Sequence, residues 1–315
     1  MSAVDISVVV PIYNEAECLP ELRQRLGKTL DGLTAAHEIV FVDDGSADAS
    51  FRILSELHRA DHRVRVLRLA RNFGHQIAIS AGLDRAAGAA VVLMDGDLQD
   101  PPEAIPALYA KLKEGHDIVR AIRTTRCDSL GKRIGSRLYH AVFAALSYVD
   151  SRPDAGIFRI MSRRAVEAFK DCRETDRDVD ALISWTGFPE ATVETKHEAR
   201  FAGKSKYGLV RSVRVAADGI LSFSRIPLRL VTCVGLLAAL LAVAGGLYLA
   251  AGKLFLGNPL PAHGGIVVGL FLVGGAQLLT TGILAEYLGR MFVEVKRRPL
   301  YVVRETLGLE ERRSP

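Results

Sequence analysis

The sequence predicts an α/β domain on a mostly parallel sheet, followed by an amphipathic interfacial helix and a two-helix transmembrane hairpin. Three observations predict it. Strand-length apolar runs alternate with helix-length segments over about the first 120 residues, the pattern of a parallel sheet with helices on both faces. Acid-rich polar motifs follow several of those runs, where open α/β sheets place their ligands. Two stretches, Leu230 to Gly252 and Gly264 to Ala285, carry no charged residue. Each is long enough to cross a hydrocarbon core about 30 Å thick at about 1.5 Å per residue.

In chain order, Ile6–Pro11 is expected as a strand and Glu15–Leu30 as a helix. Glu38–Val42 is a strand ending in Asp43-Asp44-Gly45-Ser46, with Ser46 placed to cap a helix running to about Arg59. Val64–Leu69 reads as a strand, Gln76–Ala87 as a helix and Ala89–Met94 as a strand. Pro101-Pro102-Glu103 opens the next helix, with proline in its favoured first turn. Asp117–Ile122 is a further strand. From about Thr124 to Lys206 the pattern becomes a long basic helix, a strand near Gly156–Met161, two shorter helices and a strand near Ala191–His197. Tyr207–Ser224 is amphipathic, with Arg211 and Arg214 interrupting apolar positions. It reads as a helix lying on a membrane surface, with a soluble helix packed on the preceding domain as the alternative. The expected organisation is therefore a globular domain over 1–206, an interfacial helix over 207–227, two spans within 228–289 (about 230–252 and 264–286) and a C-terminal tail over 290–315.

Composition agrees. The 315 residues are 49% hydrophobic and 24% charged, and the mean hydropathy is +0.17. That is too apolar for an ordinary soluble domain unless the apolar residues are concentrated, as the two uncharged stretches concentrate them. Met1 to Asp5 is polar and runs straight into a strand, so no secretory signal is read there. Arg211, Arg214, Arg225 and Arg229 precede the first span, and Arg290, Lys296, Arg297 and Arg298 follow the second. The connection holds only Lys253. The positive-inside rule then puts both termini and the globular domain on the cytoplasmic side of an inner membrane. The net charge of +5 gathers near the spans, which suits topology and anionic lipid. No nucleic-acid reader motif is present. Cys18, Cys127, Cys172 and Cys233 are scattered and form no metal pair, as expected of reduced cytosolic thiols. Gly245-Gly246, Gly269 and Gly274-Gly275 suit close helix packing, so a homo-oligomer is expected.

The chemistry centres on Asp95-Gly96-Asp97-Leu98-Gln99-Asp100, directly after the apolar run Ala90–Met94. Two carboxylates one residue apart at a strand end suit a hard divalent cation shared with a diphosphate. The glycine between them lets the backbone bend close to a ligand. Alone, such a pair also occurs in calcium loops and solvated turns. Its company is more specific: Pro11-Ile12-Tyr13-Asn14-Glu15, Val42-Asp43-Asp44-Gly45-Ser46 and Arg71-Asn72-Phe73-Gly74-His75-Gln76.

Together these motifs resemble the family-2 glycosyltransferases of the GT-A fold. More narrowly, they resemble the polyprenyl-phosphate glycosyltransferases, relatives of dolichol-phosphate mannose synthase with two C-terminal spans. The resemblance covers nearly the whole chain, through Arg200-Phe201-Ala202-Gly203-Lys204-Ser205-Lys206-Tyr207 and the paired spans. It implies a nucleotide-sugar donor, a polyprenyl-phosphate acceptor, Mg²⁺ or Mn²⁺, and transfer with inversion. Tetramers occur in the resembling group.

By this resemblance Pro11, Tyr13 and Glu15 line the base and ribose, and Asp43 grips the uracil or ribose side. Asp44 either joins it or holds the loop by accepting backbone N–H bonds. Asp95 and Asp97 match the metal motif, with Asp97 the stronger candidate for direct coordination, and Gln99 matches a neutral oxygen ligand. His75 is open between a donor contact and a structural hydrogen bond, and is not assigned as a base. Arg123, Arg133 and Ser136 match positions that hold the acceptor phosphate, a task bidentate guanidinium groups suit. A solvated basic helix near anionic lipid is the plain alternative for those arginines. Asp154, ahead of Ala155-Gly156-Ile157-Phe158-Arg159, matches an acid considered as a base in relatives, in an alignment soft by a residue or two. Arg200, Ser205 and Lys206 match a basic loop that closes over the diphosphate.

Two rival readings differ in class. A processive polysaccharide synthase would need more spans and a Gln-x-x-Arg-Trp motif, which the chain lacks: its single tryptophan is Trp185, in Ser184-Trp185-Thr186-Gly187. A non-catalytic membrane subunit that binds a nucleotide-sugar would not need the intact Asp95/Asp97 pair. The sugar, and UDP against GDP, stay open at this stage, with UDP favoured.

Overall fold

The computed structural model describes residues 4–123, 155–175, 177–195 and 264–309, with scattered positions between 235 and 255. The chain divides into two compact units, one holding the sheet and taking back residues 299–315, the other made mainly of residues 215–298.

In the first unit the strands are β1 (Ile6–Ile12), β2 (His37–Asp43), β3 (Val64–Leu69), β4 (Ala90–Leu93), β5 (Ile118–Arg123), β6 (Ala155–Ser162), β7 (Glu190–Thr195) and β8 (Val303–Leu307). They form one sheet in the order β7-β5-β6-β4-β1-β2-β3-β8. The pairs β4–β1, β1–β2, β2–β3 and β5–β7 are parallel, whereas β6 runs antiparallel between β4 and β5 and β8 runs antiparallel on β3. Every residue of β1 and β2 is buried, as expected of central parallel strands covered on both faces.

Helices α1 (Leu19–Asp31), α2 (Ser50–Ala60), α3 (His75–Arg85), α4 (Ile105–Lys113), α5 (Arg163–Asp171) and α6 (Val179–Trp185) connect them. Leu19, Leu22, Leu26 and Leu30, at helical spacing on α1, join Ile6, Val8, Val10 and Ile12 of β1 in one core with Ile39, Phe41 and Phe158. The opposite end of the strands from the motifs is closed by a polar network. There Glu38 is buried and accepts from Ser7 Oγ and from Ala87 N at 2.7 Å, while Arg65 Nη1 lies 2.6 Å from its other oxygen.

Most expected elements appear within a few residues. The first helix begins at Leu19 rather than Glu15, because Cys18 N bonds back to Glu15 O at 3.1 Å in a preceding turn. The helix after β2 begins at Ser50 rather than near Ser46. Ser46 does not cap it: its hydroxyl accepts the Asn14 N–H at 3.0 Å instead. Residues 303–307, expected in a tail, form β8. The expected long basic helix after Thr124 and the interfacial helix over 207–227 lie outside the described residues.

The second unit contains α7 (Gly264–Val295), a helix of 32 residues and so about 48 Å long. Leu270, Leu278 and Leu288 are exposed on it. The sequence expected a span over about 264–286, which falls within this helix. Among the described residues no helix is long and apolar enough to cross a membrane. The first expected span lies largely outside the described residues, as do several side chains of the second. The hairpin thus rests on the sequence pattern.

Candidate functional site

Parallel pairing of β4 to β1 and of β1 to β2 brings three polar motifs to one sheet edge. The chain leaves β1 at Ile12, β2 at Asp43 and β4 at Leu93, all at carboxyl ends, where α/β sheets bind ligands.

The loops after β1 and β2 are tied to each other. Beside the Asn14–Ser46 bond, Ala47 N donates to Asn14 Oδ1 at 2.9 Å, Glu15 N to Ser50 Oγ at 3.1 Å and Ala16 N to Asp48 Oδ2 at 3.3 Å. Asn14 itself sits at φ +56°, a left-handed conformation that asparagine tolerates better than most residues. Tyr13 is left 41% exposed above this edge, and Pro11 is buried within β1.

Asp43 and Asp44 are both buried but are held differently. Asp43 Oδ1 accepts the Ser46 N–H at 3.0 Å, closing the turn, while its Oδ2 lies 3.4 Å from Arg68 Nε. Asp44 reaches the other way. Its two oxygens accept the N–H groups of Phe73 at 2.7 Å and Gly74 at 2.9 Å. Burial raises the Asp44 pKa, against the lowering effect of those two bonds. Asp44 is thus the residue that holds the Arg71–His75 loop, one of the two roles open to it from sequence.

The Asp95–Gln99 segment turns tightly after β4. Asp97 Oδ1 accepts the Gln99 N–H at 3.1 Å, and Leu98 is buried at φ +61°. A bulky residue in that conformation is strained, and such strain collects at ligand sites. Gly96 is pressed against β1: a Cβ there would lie 2.6 Å from Ile12 Cδ1. His75, the first residue of α3, places Nε2 3.3 Å from Asp95 Oδ1. Desolvation lowers the His75 pKa, against the attraction of Asp180 and Asp97.

The edge gathers carboxylates, with Arg68 beside Asp43 and Arg71 acting on Asp44. Glu15, Asp43, Asp44, Asp95 and Asp97 converge there. The buried Cys18 thiol reports that field: its pKa is pushed up to about 11, first by burial and then by Glu15, Asp97 and Glu17. Among the described residues no group of three or more His, Cys, Asp or Glu side chains could hold a metal ion alone. Two carboxylates, with Gln99 following two residues after Asp97 in sequence, still suit Mg²⁺ or Mn²⁺, since Mg²⁺ ordinarily keeps water and substrate phosphate oxygens in its shell. The residue types at Asp95, Asp97 and Gln99 are those a divalent cation takes when substrate oxygens complete its shell.

Behind the site lies an arrangement that sequence reading missed. Arg159 on β6 is fully buried, opposite Leu93 on one side and Arg120 on the other. Its guanidinium bonds to the carbonyls of Ile157 at 3.0 Å and Gly156 at 3.2 Å and pairs with Asp180 on α6. Arg120 bonds Ser184 Oγ at 2.6 Å and Glu190 Oε1 at 3.0 Å. Gln76 Oε1 on α3 accepts the Val179 N–H at 3.1 Å. Together these contacts fix the start of α6 beside the start of α3, where His75 stands.

Of the other expected site residues, Arg123 is the last residue of β5, and its side chain is outside the described set. Arg133, Ser136, Asp154, Arg200, Ser205 and Lys206 also lie outside the described residues.

Comparison with known proteins gives the lineage. The family model "Glycosyl transferase family 2" matches residues 7–169, just over half of the chain. A prophage-derived bactoprenol glucosyl transferase of Shigella flexneri is 37% identical over 302 residues, covering 96% of this chain and 98% of the relative. An undecaprenyl-phosphate 4-deoxy-4-formamido-L-arabinose transferase of Yersinia pestis is 35% identical over 310 residues, covering 97% and 94%. Among solved structures, glucosyl-3-phosphoglycerate synthase from Mycobacterium tuberculosis in complex with Mn²⁺, UDP and glucosyl-3-phosphoglycerate matches at a TM-score of 0.49 and 19% identity, covering 70% of this chain and 78% of that one. The family model and the near-full-length relatives agree, and the chain belongs to glycosyl transferase family 2.

Proposed function

We propose that this protein transfers a sugar, with inversion, from a nucleotide-sugar to a polyprenyl phosphate. UDP-sugar is the donor and undecaprenyl phosphate the acceptor. The product is a lipid-linked monosaccharide for cell-envelope glycan or lipid modification. The observation that carries this reading is the gathering of the β1, β2 and β4 motifs at one acidic sheet edge, in a chain that aligns almost end to end with relatives named for bactoprenol and undecaprenyl phosphate.

Asp43, with Pro11, Tyr13 and Glu15, binds the base and ribose, and Asp44 supports them by holding the neighbouring loop. Asp95 and Asp97, with Gln99, hold Mg²⁺ or Mn²⁺, which supplies neutralisation of charge on the departing diphosphate. Arg123, Arg133 and Ser136 hold the acceptor phosphate, and Arg200 and Lys206 close over the donor. A phosphate monoester has its second pKa at about 6, so at neutral pH the acceptor oxygen is already a nucleophile. No strong base is then required, and Asp154 stands as the acid that the resemblance matches to a candidate base. The chain's own contribution is alignment of acceptor oxygen, sugar C1 and leaving group.

Two spans, over about 230–252 and 264–286, keep the globular domain at the cytoplasmic face of the inner membrane, with 207–227 lying on its surface. Holding the site there avoids extracting a prenyl chain into water, at about 0.8 kcal/mol per CH₂. Small residues in both spans favour a homo-oligomer, with a tetramer as one form.

The test is nucleotide release by the purified protein in detergent with Mg²⁺. UDP release that depends on undecaprenyl phosphate, without any partner protein, supports the transferase. A folded protein that binds UDP yet releases none with any donor would favour the non-catalytic subunit.

A further inference from the structure

We infer that His75 is a positioning residue for Asp95, fixing the carboxylate that the proposed reading gives to the metal. The inference rests on that reading. Its geometric basis is the Nε2–Oδ1 separation of 3.3 Å, within reach of a hydrogen bond from the imidazole N–H.

The imidazole is placed by two separate devices. From one side the buried Asp44 carboxylate grips the N–H groups of Phe73 and Gly74, the two residues before His75. From the other, Gln76, the residue after it, is bonded to the first turn of α6, and α6 is itself pinned to the sheet through Asp180 and the buried Arg159. The His75 side chain is 48% exposed, so the backbone anchors on both sides of it, rather than burial, set where the imidazole stands. Phe73 and Gly74 before His75 are held by the buried Asp44 carboxylate and Gln76 after it by the Val179 N–H of α6, and the side chain between them meets Asp95.

Carboxylates that ligate metals are commonly hydrogen-bonded by a second residue that sets their orientation, and losing that residue weakens the metal about 10–100-fold. His75 fills that place for Asp95. It does so through the imidazole Nε2, the ring atom that faces Asp95 Oδ1.

Mn²⁺ binding followed by electron paramagnetic resonance, with UDP present, tests this on the full-length protein in detergent. The wild type is compared with His75→Ala, His75→Gln and Asp97→Ala. Glutamine carries an N–H donor at a similar reach to Nε2. The expected result is a loss of Mn²⁺ affinity of about tenfold in His75→Ala, recovery to near wild type in His75→Gln, and unchanged UDP binding in the presence of a chelator. Wild-type Mn²⁺ affinity in His75→Ala, alongside loss in Asp97→Ala, overturns the positioning role and leaves the metal reading standing. Weakened UDP binding in His75→Ala with Mn²⁺ affinity unchanged also overturns it and makes the imidazole a donor contact. A wild type that takes up no Mn²⁺ with UDP overturns the metal reading, and this inference with it.

Discussion

Gly45→Ala tests whether the β2 turn and the Arg71–His75 loop act as one unit. Gly45 sits at φ +69°, and a Cβ built there would lie 2.5 Å from Arg71 C, 2.7 Å from Asn72 N and 2.9 Å from Arg71 Cα. All three are backbone atoms, so no side chain can swing aside. Reaching ordinary contact requires the loop to retreat by roughly 0.9 Å. The Asp44 bonds to Phe73 and Gly74, now 2.7 and 2.9 Å, would then stretch to or past the useful limit. A left-handed alanine costs about 1–2 kcal/mol, and a lost bond to a charged group about 1.5–3 kcal/mol. The sum is about 2.5–5 kcal/mol, or a fall in melting temperature of roughly 10 °C for a domain of this size. Gly187→Ala is the control: its φ is +72° and nothing lies within 4 Å of its Cβ position, so it bears only the conformational cost of about 1–2 kcal/mol. Thermal unfolding of both variants in one detergent reads the difference. Sugar transfer by Gly45→Ala should also fall about 100-fold, because the site moves by about an ångström. Equal melting temperatures for the two variants would refute the argument.

Other expectations follow from the same contacts. Asp180→Ala strips the buried Arg159 of its carboxylate; because Asp180 is itself 44% exposed, the cost falls at the low end for a broken buried pair, about 3 kcal/mol, measurable by denaturant unfolding. Asp61 has its pKa held down to about 2 by Arg63. A depressed carboxylate pKa adds stability above its ordinary value near 4 that is lost as pH falls toward 2, so Asp61→Asn should flatten that acid limb in a pH-dependent melting series. Tyr301→Phe removes a 2.9 Å bond to Asp84, which Arg173 also engages; it should cost about 1.5 kcal/mol and lower hydrogen-exchange protection of the Val303–Leu307 amides, and unchanged protection would mean β8 is held by its pairing alone.

The central sheet was readable because buried parallel strands are apolar throughout: β1 is Ile-Ser-Val-Val-Val-Pro-Ile and the polar motif begins where it ends. The acidic strand ends were readable for the same reason, since a carboxylate cluster after such a run has few places to go but the sheet edge. What escaped was tertiary. Ser46 has the right chemistry for a cap, yet its hydroxyl partner is Asn14, 32 residues away. β8, Val-Arg-Glu-Thr-Leu, is a half-exposed edge strand whose polar composition carries no burial signal; only Tyr301 and Val302 before it hinted at strand propensity. Arg159 looked like part of a strand motif, and nothing local announces a fully buried guanidinium paired with a helix beyond it in sequence. His75 was left open between two roles because its meaning depends on which loop Asp44 holds.

The most direct measurement is transfer of radiolabelled sugar into the lipid phase. Purified protein in detergent is given undecaprenyl phosphate, Mg²⁺ and each of a panel of UDP- and GDP-sugars, with Asp97→Ala alongside the wild type. Lipid-linked label from a UDP-sugar is expected with the wild type, and its near-complete loss in the variant. Label of equal amount from Asp97→Ala, or none from any donor with a folded wild type that binds UDP, would contradict that expectation.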